Sequence, residues 1–141
     1  MTGGKTKRLL AWLTKNMTRR VVRDATDAIY LIRYYVIRTS RFEITLHQFL
    51  RSDPDPRLHN HPWQWAISLL IVGGYVEERL EDNRIRSRTL RVGRFNPIRD
   101  STFHRVSALL DSDAWSVFIH GRRIREWHFL EADFSNEIDP A

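Results

Sequence analysis

Leu58-His59-Asn60-His61-Pro62-Trp63 leads into an unbroken apolar run at residues 65–72, closed by Gly73-Gly74. On extended backbone, residues two apart face the same side, so His59 and His61 aim two imidazoles at one point. Neutral imidazole donates to iron, zinc, copper, nickel or manganese. A His-x-His pair also arises by chance and in cores, so by itself it is a weak signal. The chain has no cysteine, which excludes thiolate ligands and disulfides and leaves histidine as the main candidate for a transition-metal site. The apolar run has the length and closure of a buried strand.

Working outward, the neighbouring segments also read as short strands. Residues 29–37 are β-branched and aromatic, and residues 42–50 alternate Glu43, Thr45 and His47 against Ile44, Leu46 and Gln48. Residues 51–58 carry Asp53-Pro54-Asp55-Pro56 and read as a loop. Residues 75–80 and 85–92 flank Glu81-Asp82-Asn83, a hairpin-like turn. Strands at 102–110, 115–120 and 126–130 complete the series, and the acidic segment 131–141 reads as irregular. Many short strands separated by turn signals, with no helix between the middle ones, predict an all-β sandwich or barrel over residues 29–130. Phe103-His104-Arg105-Val106 opens one of these strands, and an antiparallel barrel can bring His104 opposite the His-x-His pair.

Residues 1–28 differ. Lys5, Lys7, Arg8, Lys15, Arg19, Arg20 and Arg23 precede the first acid, Asp24, and Leu9, Leu10, Trp12, Leu13 and Met17 can share one helical face. This predicts a basic, helical N-terminal extension. It either packs on the barrel or touches phosphates or a membrane surface.

The whole 141-residue chain carries a formal charge of +6, and 20 of its 23 basic residues are arginines. Arginine's planar fork matches carboxylate and phosphate, so the balance favours anionic ligands, nucleotides or nucleic acid. A compositional bias toward arginine is the alternative. Arg84, Arg86 and Arg88, two apart, line one strand face. They either hold phosphates or form a solvated face paired with Glu77, Glu78 and Glu81. No secretory signal or membrane-spanning run is visible, which predicts a soluble, cytoplasmic protein. Glycine-rich phosphate loops, Ser-His-Asp arrangements and zinc-finger spacings are absent.

The histidine motifs resemble those of the cupin superfamily. Its first motif is His-x-His, then a glutamate, then a glycine; here His59, His61 and Gly73-Gly74 match. Its second has a proline before a histidine on the next strand; here Pro97 and His104 match, at longer spacing and without the intervening glycine. The family glutamate would fall near Trp65 or Ala66, which cannot ligate. Thiol dioxygenase-like members do without it. The segments at 46–52, 59–63, 73–75, 103–106 and 121–127 are also similar to short cupin-like proteins of phage and prophage genomes.

The resemblance implies a double-stranded β-helix (jelly-roll barrel) whose metal is held by His59, His61 and His104. Iron(II) is the leading ion, with zinc, nickel and manganese as alternatives. His47, on a strand before the motif, is a candidate proton carrier, and Gln64, the polar residue nearest the missing glutamate, a candidate oxygen or hydrogen-bond donor. Arg105, Arg122 and Arg125 are candidate substrate-binding groups near the barrel mouth. His120 and His128 read as structural, and most tryptophans as core. The function expected is a metal-dependent oxygenase or isomerase acting on a small anionic or nucleotide-like molecule, and the resemblance implies a homodimer. The alternatives are a non-catalytic module that sequesters a ligand, or a basic nucleic-acid or host-interaction protein on the same scaffold.

Overall fold

The computed structural model describes residues 2–130; the predicted acidic tail lies outside them. One helix, α1 (Thr2–Thr14), is followed by nine strands: β1 (Arg19–Arg23), β2 (Ile29–Arg38), β3 (Glu43–Phe49), β4 (Trp65–Val72), β5 (Gly74–Glu81), β6 (Arg84–Arg91), β7 (Phe95–Arg99), β8 (His104–Leu109) and β9 (Ala114–His120). They form two sheets, a six-stranded one in the order β1-β2-β3-β9-β4-β7 and a three-stranded one in the order β6-β5-β8. Every pairing is antiparallel. Leu31, Phe49, Leu70, Tyr75, Leu90, Val106 and Ala114 fill the space between the sheets.

Bulges decide which side chains face that space. In β4 the register shifts between Leu70 and Val72, so Leu70 opposes Ser116 while Val72 opposes Trp115. The extra residue reverses the alternation. Leu70 enters the core, and Val72 joins Leu10, Tyr34 and Trp115 in a second cluster under α1. In β2 a shift between Tyr35 and Ile37 places Arg38 opposite Glu43. The β5–β6 hairpin turns through Asp82 (φ 50°) and Asn83 (φ 62°), the pair of left-handed residues that a two-residue turn of type I′ requires.

Three sequence expectations are corrected. The basic extension is helical only to Thr14, and Arg19–Arg23 adds an edge strand to the large sheet. The expected apolar helix face also divides. Leu10 is buried and Met17 packs beside it, whereas Leu9, Trp12 and Leu13 remain exposed, Trp12 to 70%. Lys7 pins the helix by pairing with Asp111 and Asp113. Secondly, β7 was not anticipated, because Pro97 argues against a strand; its position at the sheet edge is where proline is tolerated. Thirdly, residues 126–130 form no regular strand and make only isolated bridges. No helix among the described residues is long and apolar enough to cross a membrane.

Leu70 is 1% exposed at the centre of the core. Leu70→Ala is therefore expected to cost about 2–5 kcal/mol. Trp12→Ala should change stability by less than about 0.5 kcal/mol. Urea unfolding of the two variants measures both.

Candidate metal centre

His59 and His61 lie on the irregular segment before β4, and two sets of backbone bonds hold that segment. His59 and His104 exchange reciprocal N–H···O bonds, each of 3.0 Å. A hydrogen-bonded antiparallel pair carries its side chains on one face, which brings the first and third imidazoles together. On the other side runs the strap of residues 121–130. Leu130 N–H donates to Leu58 O, His128 N–H to Asn60 Oδ1 and Ile124 N–H to Pro62 O. Asn60 is buried and faces this strap, so its neighbours His59 and His61 face the barrel interior. Asparagine between the two histidines thus orients them.

The three imidazoles converge. One nitrogen from each of His59, His61 and His104 lies within 4.8 Å of the other two, and the Nε2 atoms of His61 and His104 are 2.7 Å apart. Two nitrogens bonded to one ion at about 2.0–2.1 Å can be at most about 4.2 Å apart, so small ring rotations suffice to bring all three onto a common ion. Burial, reinforced by the neighbouring His104, holds His59 down to about 3 and His61 well below its ordinary value. Both rings are neutral near pH 7 and present lone pairs. The donor set therefore fits a divalent transition metal.

Glu77 completes the arrangement from behind. This β5 carboxylate is fully buried. Its Oε2 accepts from His104 Nδ1 at 3.2 Å and from Asn96 Nδ2, while Oε1 accepts from Arg79 Nε at 2.8 Å and Arg88 Nε at 3.2 Å. A proton on Nδ1 leaves the Nε2 lone pair of His104 for the cluster. Burial opposes the charge on Glu77, but the bond from His104 and the charges of His104, Arg79 and Arg88 outweigh it and hold the carboxyl at about 2.

The cluster opens into a cavity of about 740 Å³. His47 and His120 line it. His47 is buried, stacks on Phe118 at 4.5 Å and is kept well below its ordinary pKa by burial and Arg33. His120 stacks on Trp63 at 3.9 Å and bonds through Nε2 to Glu43 and through Nδ1 to Gly121 O. Seven arginines line the cavity (Arg20, Arg23, Arg33, Arg38, Arg41, Arg122 and Arg123) against three acids, Glu43, Asp53 and Asp55.

Of the residues singled out from sequence, the structure brings His47, His59, His61, His104 and Arg122 to this cavity. Gln64, Arg105 and Arg125 are not among its lining residues. Gln64 is exposed, Arg105 Nη1 donates to Pro56 O, and Arg125 pairs with Asp100 at 2.7 Å. The row of Arg84, Arg86 and Arg88 also divides: Arg88 turns onto Glu77 and the other two remain exposed. Glu77, Arg33 and the His120–Glu43 pair were missed. For Glu77 the available signal was its alternation with Tyr75, and for Arg33 its position as the single charge inside an apolar strand.

No family model matches the chain, and no curated protein matches it. Solved structures do. A cupin-2 domain from Rhodospirillum rubrum superposes with a TM-score of 0.66 at 6% identity, over 85% of this chain and 79% of that one. The chain has the cupin jelly-roll fold. The Fe(II) form of HppE matches with a TM-score of 0.59 at 15% identity over 75% of this chain, which spans 57% of its length. KdgF from Halomonas sp. matches with a TM-score of 0.51 at 17% identity, over 67% of this chain and 80% of KdgF.

Glu77 gives the metal-free protein an acid limit. Its carboxyl lies near 2 when folded and near 4.5 when unfolded. The resulting stability, about 3 kcal/mol, is fully present above pH ~4.5 and disappears as pH falls through ~2. Urea unfolding between pH 5 and 2 should show this loss in wild type and a flatter profile in Glu77→Gln.

Proposed function

We propose that this cupin is a metal-dependent enzyme that acts on a small anionic molecule at a centre formed by His59, His61 and His104. The observation that carries the reading is the convergence of three imidazoles at the wall of a cavity rich in arginine. Three protein ligands leave coordination positions free for water and substrate, the pattern of catalytic rather than structural sites. A bound divalent ion would supply Lewis-acid polarisation or, in the case of iron, redox chemistry. Iron(II) is the leading candidate, supported by the Fe(II) form of HppE among the structural relatives; zinc, nickel and manganese suit the same donors.

The chain's own residues divide the remaining work. Glu77 holds the Nδ1 proton of His104 and so fixes that ring's orientation. Trp63 and Phe118 wall the cavity beside His61, with ring centroids 5.1 and 6.1 Å from it, and exclude water from that side. His47 is neutral and buried in the wall, where burial and the charge of Arg33 disfavour its protonation and its ring can hydrogen-bond a bound substrate. The His120–Glu43 pair lies behind Trp63. His120 Nδ1 faces Gly121 O and its Nε2 faces Glu43 Oε2. The arginines supply the positive field that draws in an anion.

Metal analysis of the tag-free protein, with metal uptake by the stripped protein, tests this reading. One ion per chain is expected. His59→Ala, His61→Ala and His104→Ala should each lower affinity by at least about tenfold, and Glu77→Gln by about 10–100-fold. A stripped wild-type protein that takes up none of iron(II), zinc, nickel or manganese overturns the reading. Ligand binding without turnover by the loaded protein favours the sequestering module instead.

A further inference from the structure

Arg33 is out of place. It is the single charged residue between Ile29 and Ile37 in the apolar strand β2. Its neighbours across the sheet are Arg20 on β1 and His47 on β3. Directly opposed residues of an antiparallel ladder share a face, so Arg20, Arg33 and His47 form an inward row, and all three line the cavity. Ser116 extends that row on β9. The row contains no acid.

The guanidinium of Arg33 lacks what buried cations normally have. Its Nε is shielded from solvent and has no hydrogen-bond partner, and it forms no ion pair with a described residue. Buried charges are ordinarily paired, and an unmet donor on a charged group is costly. The arginines at the buried Glu77 meet this requirement: Arg79 and Arg88 both bind it. Arg105, whose Nε is also unpartnered, lies off the cavity and donates through Nη1 to Pro56 O. The charge of Asp53 acts on Arg33, but no ion pair joins them, and Asp53 Oδ2 already accepts Val106 N–H at 2.7 Å. Arg33 lines the same cavity as His47, His59 and His61.

We propose that Arg33, with Arg20 beside it, is the subsite for the oxyanion headgroup, carboxylate or phosphoryl, of the ligand this cavity takes. The proposal rests on the reading of the cavity as a small-anion site and adds where the anion is held. A guanidinium presents a fixed fork of N–H donors that matches two oxygens of either headgroup. An oxyanion there pairs a guanidinium that forms no ion pair with a described residue and neutralises a row that has no acid of its own. The remainder of the ligand then extends along the wall of His47 and Phe118 toward His59 and His61.

Calorimetric titration of the metal-free protein with inorganic phosphate and with malonate tests the assignment. Wild type should bind at least one probe, and the probe that depends on Arg33 identifies the headgroup. Arg33→Met should weaken that binding by at least about tenfold. Arg33→Lys keeps the charge but loses the fork, and should fall between the two. Arg86→Met, on the exposed face of β6 away from the cavity, should change binding by less than about threefold. Zinc uptake by Arg33→Met should equal or exceed that of wild type, because a positive charge near the imidazoles has gone. This uptake also reports that the barrel is folded. The assignment is overturned if wild type binds neither probe, or if folded Arg33→Met and Arg33→Lys both bind as wild type does. Arg33-dependent anion binding by a protein that takes up no metal sinks the metal reading and leaves the subsite standing; metal uptake with Arg33-independent anion binding does the reverse.

Discussion

The buried carboxylate of Glu77 is the constraint on which the site depends. An isolated charge in a protein interior is too costly to persist, and this one persists because four donors converge on it from three strands besides its own. Arg79 shares β5, Arg88 comes from β6, His104 from β8 and Asn96 from β7. The first three belong to the small sheet and Asn96 to the large one. The cluster therefore joins the two layers at the point where His104 must be held. Arg79 and Arg88 also bond Asn96 Oδ1, so the network closes on itself. A half-satisfied network would be worse than an apolar core, whereas a closed one rigidifies it. The same set of bonds that makes Glu77 tolerable fixes the tautomer and direction of one candidate metal ligand.

The second constraint is the strap of residues 121–130. Sequence periodicity predicts a strand at 126–130, and the structure shows why the apolar and aromatic residues there deceive. Phe129 and Arg123 each make one bridge, to His59 and Trp63, instead of joining a sheet. The strap's backbone bonds go to the segment carrying His59 and His61, so it has β-like pairing without a regular ladder. Because the His-x-His motif lies in an irregular segment and not within β4, it needs this external support. Asn60 provides the link by facing away from its histidine neighbours.

These two features explain what could be read from the sequence. The alternating strands, the 65–72 run and the 81–83 turn were legible because local pattern and tertiary context agree. The histidine trio was legible because two members are adjacent in sequence and the third lies in a recognisable motif. Glu77, Arg33 and Asn96 were not, because their roles exist only across strands. Glu77 beside Glu78 reads as a solvated acidic pair until β6, β7 and β8 surround it. The arginines nearest the motifs, Arg105 and Arg125, attracted attention by sequence proximity, but backbone direction takes one to Pro56 and the other to Asp100. Proximity along a chain says little about which wall of a barrel a long side chain reaches.

The missing motif glutamate has a consequence for charge. Trp65 and Ala66 occupy its expected position, so the candidate ligands are three imidazoles with no carboxylate among them. A divalent ion held by them retains its full charge, unlike one whose ligands include a carboxylate. Glu77 cannot compensate as a ligand would: it acts through His104, and its charge is already shared with Arg79 and Arg88. The adjoining wall adds Arg33 and Arg20 without an opposing acid in their row. Both halves of the cavity are therefore short of negative charge in the same direction. A ligand with one anionic end and a donor at the other would answer both deficits at once, whereas a neutral ligand would leave the ion and the arginines to repel each other across a space of low dielectric. The absence of that carboxylate and the excess of arginine in the cavity thus support the same proposal, that the occupant is itself an anion.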